Sequence, residues 1–152
     1  MALPDGRFLT AGEDGKLALW RGNDLTRPQS FEPVHGAPIA ALAVSPDGAL
    51  IASASWDSSV ALTSLTGAPL RRFEGHQGNV NGVAFSRDGR MVVSAGYDAT
   101  LRFTPLDGAA PRVVKLTSPL NALAISPSDE IATGGADGSV FLLTPEGALR
   151  LQ

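Results

Sequence analysis

His35 and His76 are the only histidines among the 152 residues, and a serine and an aspartate follow each at matching intervals. His35, Ser53 and Asp57 make one set, and His76, Ser94 and Asp98 make the other. Within hydrogen-bond reach, such a trio could perform acyl transfer: the imidazole takes the hydroxyl proton while the carboxylate orients the ring. Its recurrence argues for a structural role, because a brace repeats with a fold and a catalytic centre rarely does. No Gly-x-Ser-x-Gly elbow and no phosphate loop accompany the trio. The glycines of the segment Gly75 to Gly82 are not at dinucleotide-binding spacing. The expectation is that the chain is not an enzyme.

The carboxylates suggest no metal chemistry. Asp5, Asp14, Asp47, Asp88, Asp107 and Asp137 each precede a glycine. A calcium loop needs several oxygens converging in one short segment, whereas isolated Asp-Gly pairs are turn formers. With no cysteine in the chain, disulfides, thiolate chemistry, Cys-based zinc sites and covalent haem attachment drop out. The expectation is no metal and no cofactor. A net charge of −3 without a basic block disfavours nucleic acid as a partner. No apolar stretch approaches about 18 residues, so no membrane-spanning helix is expected. The N-terminus lacks the pattern of a signal peptide, which makes the cytoplasm the default compartment.

The elements that must position these residues come from an internal repeat. Pro4-Asp5-Gly6, Pro46-Asp47-Gly48, Arg87-Asp88-Gly89 and Pro127-Ser128-Asp129 recur at intervals of 42, 41 and 40. A second marker, the aspartate closing a short run, falls at Asp14, Asp57, Asp98 and Asp137, at intervals of 43, 41 and 39. A period of roughly 40–45 residues is that of a four-stranded propeller blade. Each unit reads as strands a to d. In the third unit, strand a runs over 80–86, b over 90–96, c over 100–106 and d over 111–116. These segments are rich in Val, Leu, Phe and Thr and are separated by Gly, Asp and Pro. The first unit begins at its a–b turn and so lacks strand a, which predicts fifteen strands in all. The reading is all-β: one domain over 1–152 of four-stranded antiparallel blades, about four in number with the first incomplete. The units fall at about 1–34, 35–75, 76–116 and 117–152.

This pattern resembles the WD40-repeat propellers over nearly the whole chain. Gly75-His76 matches the family's Gly-His pair, and Val34-His35 is a degraded copy. Trp20 stands where the family has the Trp of its Trp-Asp dipeptide, whereas Trp56-Asp57 lies at a b–c turn and matches in letters only. The resemblance implies a structural network in which the b–c Asp bonds the His, the His bonds a Ser or Thr of strand b, and that residue meets the Trp of strand c. Mapped here, it comprises Thr10, Asp14 and Trp20 in the first unit. The second has His35, Ser53 and Asp57, with Thr63 in place of Trp. The third has His76, Ser94 and Asp98, with Thr104. The fourth has Thr133 and Asp137, with Leu116 and Leu143 replacing His and Trp.

The resemblance also implies a protein-interaction scaffold whose b–c turns and d–a loops share one rim. Glu13, Trp56, Tyr97 and Ala136 precede the turn aspartates there, and Gln77, Asn79, Asn81 and Asn121 come from the other loops. Trp56 and Tyr97 beside amides form a candidate protein-binding patch. A looser resemblance, resting on wording such as GHQGNVNGVAF, is to bacterial propellers fused to c-type cytochrome domains. It implies electron transfer outside this chain and a periplasmic location. An arginine excess over lysine of ten to two fits a bacterium with a GC-rich genome. Propellers close as rings of 4–8 blades, and bare strand edges invite pairing. Three arrangements follow: a piece of a larger propeller, which the reading favours, then two copies sharing a ring through their open edges, and an irregular small ring.

Overall fold

Alternating strands and tight turns give the chain four antiparallel sheets and, among the described residues, no helix. The computed structural model describes residues 1–151. The first sheet holds β1 (Phe8–Ala11), β2 (Leu17–Arg21) and β3 (Asp24–Ser30). The second holds β4 (Ile39–Val44), β5 (Leu50–Ser55), β6 (Val60–Ser64) and β7 (Pro69–Phe73). The third holds β8 (Val80–Phe85), β9 (Met91–Gly96), β10 (Thr100–Pro105) and β11 (Arg112–Lys115). The fourth holds β12 (Leu120–Ile125), β13 (Ile131–Gly135), β14 (Val140–Leu143) and β15 (Leu149–Leu151). Each sheet is a meander whose spatial order follows the sequence. β4, β8 and β12 are the first strands of their sheets, those lettered a above.

Where the first sheet lacks a full strand a, the N-terminus leaves a trace of one. Ala2 forms an isolated antiparallel bridge with Phe8, and the Leu9 amide donates to the Met1 carbonyl at 2.9 Å. No apolar alternation in this short segment signals it.

Stacking of the sheets forms the core in three layers. Leu9, Leu17, Leu19 and Phe31 of the first sheet and its outgoing loop pack with Ile51 of the second. Ala52, Ala54, Val60 and Leu62 of the second pack with Val80, Val83, Phe85 and Val92 of the third. Leu101 and Phe103 of the third pack with Leu120, Ile131, Phe141 and Leu143 of the fourth. The middle sheets are covered on both faces, so β5, β6 and β9 are buried along nearly their whole length, small serines included. The first strands approach closely: a Cβ on Gly82 would lie 2.7 Å from the Leu123 Cβ.

Candidate functional site

The b–c turns and the loops entering strand a meet along one rim, held by a recurring backbone bond. The Trp56 amide donates to the Pro38 carbonyl at 3.0 Å, Tyr97 to Asn79 at 2.7 Å, and Ala136 to Pro119 at 2.7 Å. The residue after each turn aspartate has positive φ: Gly15 (73°), Ser58 (69°), Ala99 (61°) and Gly138 (88°). This left-handed residue reverses the chain and lifts the residue before the aspartate outward. Trp56 and Tyr97 are 51% and 53% exposed, and Glu13 and Ala136 are exposed as well.

Beneath the rim lie two polar networks. In the second sheet His35 Nδ1 is 3.0 Å from Asp57 Oδ2, and His35 Nε2 is 2.8 Å from Ser53 Oγ. In the third, His76 Nδ1 is 3.1 Å from Asp98, and Nε2 is 2.9 Å from Ser94 Oγ. Nδ1–H donating to the carboxylate and Nε2 accepting from serine satisfies a neutral imidazole. Burial pushes both histidines below their usual 6.5, and the adjoining carboxylates pull the other way without prevailing. Burial also pushes the Asp57 carboxyl up, but hydrogen bonds from Ser59, Arg72 and the Gly36 amide hold it well below the usual carboxylate range. Asp98 moves the same way: burial raises it, and the Gln77 amide, Thr100 and His76 together lower it further.

Sequence reasoning overlooked members of each network. Ser59 Oγ donates to Asp57 at 2.6 Å, and Thr100 Oγ1 to Asp98 at 2.7 Å. Arg72 Nη2 donates to Asp57 at 2.8 Å. The hydroxyl two residues after the aspartate was a readable signal, repeated at Ser139. Arg72 had none, because it arrives from the neighbouring strand β7.

The outer sheets are arranged differently. In the first, Trp20 Nε1 donates to Thr10 Oγ1 at 2.9 Å, but exposed Asp14 accepts only the Lys16 amide, at 3.2 Å, and joins neither. In the fourth, Thr133 Oγ1 turns to the Ala122 carbonyl at 2.6 Å. Buried Ser118, not Leu116, stands beside Asp137, whose amide donates to its hydroxyl at 3.4 Å. Leu116 and Leu143 are core residues. Thr63 is buried with its Oγ1 unpartnered, and Thr104 is half-buried.

The amides assigned to the rim also divide. Gln77 and Asn121 are exposed, and Asn79 is half-buried. Asn81 donates to the Leu120 carbonyl at 2.9 Å and ties the third sheet to the fourth, so its amide is spent within the fold. The turn aspartates cap their own turns, as when Asp47 accepts from Ser45 Oγ at 2.5 Å and from the Ala49 amide at 3.0 Å.

Radially stacked four-stranded meanders with a repeated buried His-Ser-Asp brace define a β-propeller repeat protein. The chain belongs to the WD40 family: the family described as "WD domain, G-beta repeat" matches residues 27–63, 67–103 and 112–142. Each matched repeat starts at or just before the last strand of one sheet and ends on the third strand of the next. Among curated proteins, the COMPASS component SWD3 of Saccharomyces cerevisiae is 37% identical over 73 residues, which is 48% of this chain and 23% of the relative. The fold matches the WD40 propeller domain of Doa1 with a TM-score of 0.80 and 26% identity, over 93% of this chain and 47% of that one. It matches U3-55K with a TM-score of 0.89 and 21% identity, over 99% of this chain and 50% of that one. The chain therefore spans about a quarter of the curated relative and about half of each solved propeller. The relative is a yeast protein, which gives no support to the bacterial origin read from the arginine excess.

Proposed function

We propose that the chain is a non-catalytic scaffold that presents its b–c rim to a protein partner, with Trp56 and Tyr97 as anchors. The observation that carries this reading is the exposure of these two rings, 51% and 53%, at equivalent positions of adjacent sheets. Their backbones are pinned to the incoming loops, so little conformational entropy is lost when a partner covers them. Trp and Tyr are enriched at the energetic centres of interfaces. The histidine side chains, 0% and 3% exposed, are screened from any substrate, which supports the non-catalytic reading. SWD3, named as a component of a complex, supports it too. Trp56→Ala/Tyr97→Ala with unchanged circular dichroism should lose most partner recovery in pull-downs. Equal recovery would remove the patch from consideration.

Self-association is a second binding mode, favoured by the outer face of the fourth sheet. Val140 and Leu142 are 57% and 39% exposed, whereas Val60 and Leu62, at the same repeat positions, are 3% and 7% exposed beneath the next sheet. That face has the composition of a blade–blade contact.

A further inference from the structure

Each sheet meets the next through one recurring contact. The preceding sheet supplies two strand-c residues, three and five positions after the turn aspartate: Leu17 and Leu19, Val60 and Leu62, or Leu101 and Phe103. The following sheet supplies one aliphatic residue of strand b, Ile51, Val92 or Ile131, in the same core cluster. These three are sealed, at 0%, 1% and 2% exposure. Each is paired across its sheet with the strand-c residue six positions after the aspartate: Ile51 with Thr63, Val92 with Thr104, Ile131 with Leu143. Both halves of the contact recur, exposed, on the outer sheets. Val140 and Leu142 are the preceding half on the fourth sheet, and Ala122, Ala124, Ala132 and Leu151 share their face through the strand register. All of these are apolar, as a surface that is normally covered would be. Phe8, paired with Trp20, is the following half on the first sheet and is 43% exposed. Its neighbours on that face, Thr10 and Ala18, carry no charge.

Resting on the self-association reading, we propose that the partner surface for the fourth sheet is the first sheet of a second copy of this chain. Phe8 of each copy docks against Val140 and Leu142 of the other, and the two head-to-tail contacts close one ring. The chain makes this contact three times within itself, so both surfaces already have the shape and polarity it requires. Two fourth sheets packed on each other would cover Val140 and Leu142 and leave both copies of Phe8 in water. A head-to-tail contact closes a ring only when its rotations complete a turn. The chain superposes on 47% of the Doa1 WD40 propeller domain with a TM-score of 0.80, so two copies supply about one turn. With four sheets from each copy, the ring stays within the usual 4–8 blades.

The test is light scattering on the full 152-residue chain and on two variants whose folding is checked by circular dichroism. Phe8→Asp alters the first face, and Val140→Asp/Leu142→Asp alters the fourth. The wild type is expected at twice the 15.7 kDa of one chain. Each variant alone should have the single-chain mass, because every contact uses both faces. An equimolar mixture of the two variants keeps one intact contact and should regain the two-chain mass, at a higher concentration than the wild type needs. A wild type of single-chain mass would remove self-association and the proposal together. A two-chain mass that Phe8→Asp leaves unchanged, or a mixture that stays at single-chain mass, would keep self-association and overturn the head-to-tail docking. Masses beyond two chains would show an open row of copies and overturn the closed ring. Cysteine linkage decides the matter if an aspartate variant loses its fold, since the chain has no cysteine of its own. A short bismaleimide should join a Phe8→Cys chain to a Leu142→Cys chain in their mixture and leave Leu142→Cys alone unjoined. Linkage of Leu142→Cys to itself, or none in the mixture, would overturn the proposal.

Discussion

The two imidazoles are worth more to the fold as neutral hydrogen-bond relays than as bases. Asp98 accepts from His76, Thr100 and the Gln77 amide, so Asp98→Ala strands several polar groups at once. A loss of about 1–3 kcal/mol in urea unfolding is expected. Asp14→Ala should change stability by less than about 0.5 kcal/mol, because the exposed Asp14 caps only its own turn. Equal losses in the two variants would sink the distinction. The pH dependence has a definite sign. Both histidines lie below the usual 6.5 in the folded chain, so the unfolded chain binds more protons as pH falls. Their stabilising contribution is complete above pH 6.5 and declines as pH drops toward the folded values. Asp57 and Asp98 are likewise lowered from 3.8, so theirs is complete above that pH and is lost in stronger acid. The urea midpoint should be flat just above neutrality and fall from pH 6.5 downward, and a midpoint that rises between pH 7 and pH 5 would contradict this assignment.

Among the elements, the b–c turn is the unit that organises the rim, and its four copies solve one backbone problem with two chemistries. Gly15 and Gly138 occupy the left-handed position freely, whereas Ser58 and Ala99 hold it at φ of 69° and 61°. A non-glycine residue there pays roughly 1–2 kcal/mol in Cβ crowding, part of which glycine returns as chain entropy. Ala99→Gly should therefore raise stability by about 0.5–1 kcal/mol, read as a higher thermal midpoint. Ser58 is a less clean test because it neighbours the Asp57 network. Strand identity was legible where turn residues bracket apolar runs, whereas the polar, exposed last strands such as β3 and β7 followed only from the repeat count. The Ala2–Phe8 bridge was not legible, because single-bridge pairing depends on where β1 lies and not on a local pattern.

For the whole molecule, the question is what covers the outer faces of the first and fourth sheets. The four sheets superpose on about half of the Doa1 WD40 propeller domain. If the fourth sheet's outer face mediates self-association, light scattering should report a mass above that of the 15.7 kDa chain. Val140→Asp/Leu142→Asp should then return the mass to the single-chain value with the secondary structure kept. A wild type of single-chain mass at high concentration would remove this binding mode.

The period, the strands and the turn aspartates were written in the sequence, and the family resemblance implied the pairing of each histidine with its serine. All of them recur at a fixed interval, and a repeat converts spacing into position. What only the tertiary structure decided lies across strands and between sheets: Arg72 completing the Asp57 network, Asn81 spent on Leu120, and Ser118 standing where Leu116 was expected. These depend on which side chains meet when sheets stack, and that has no signature in any one strand.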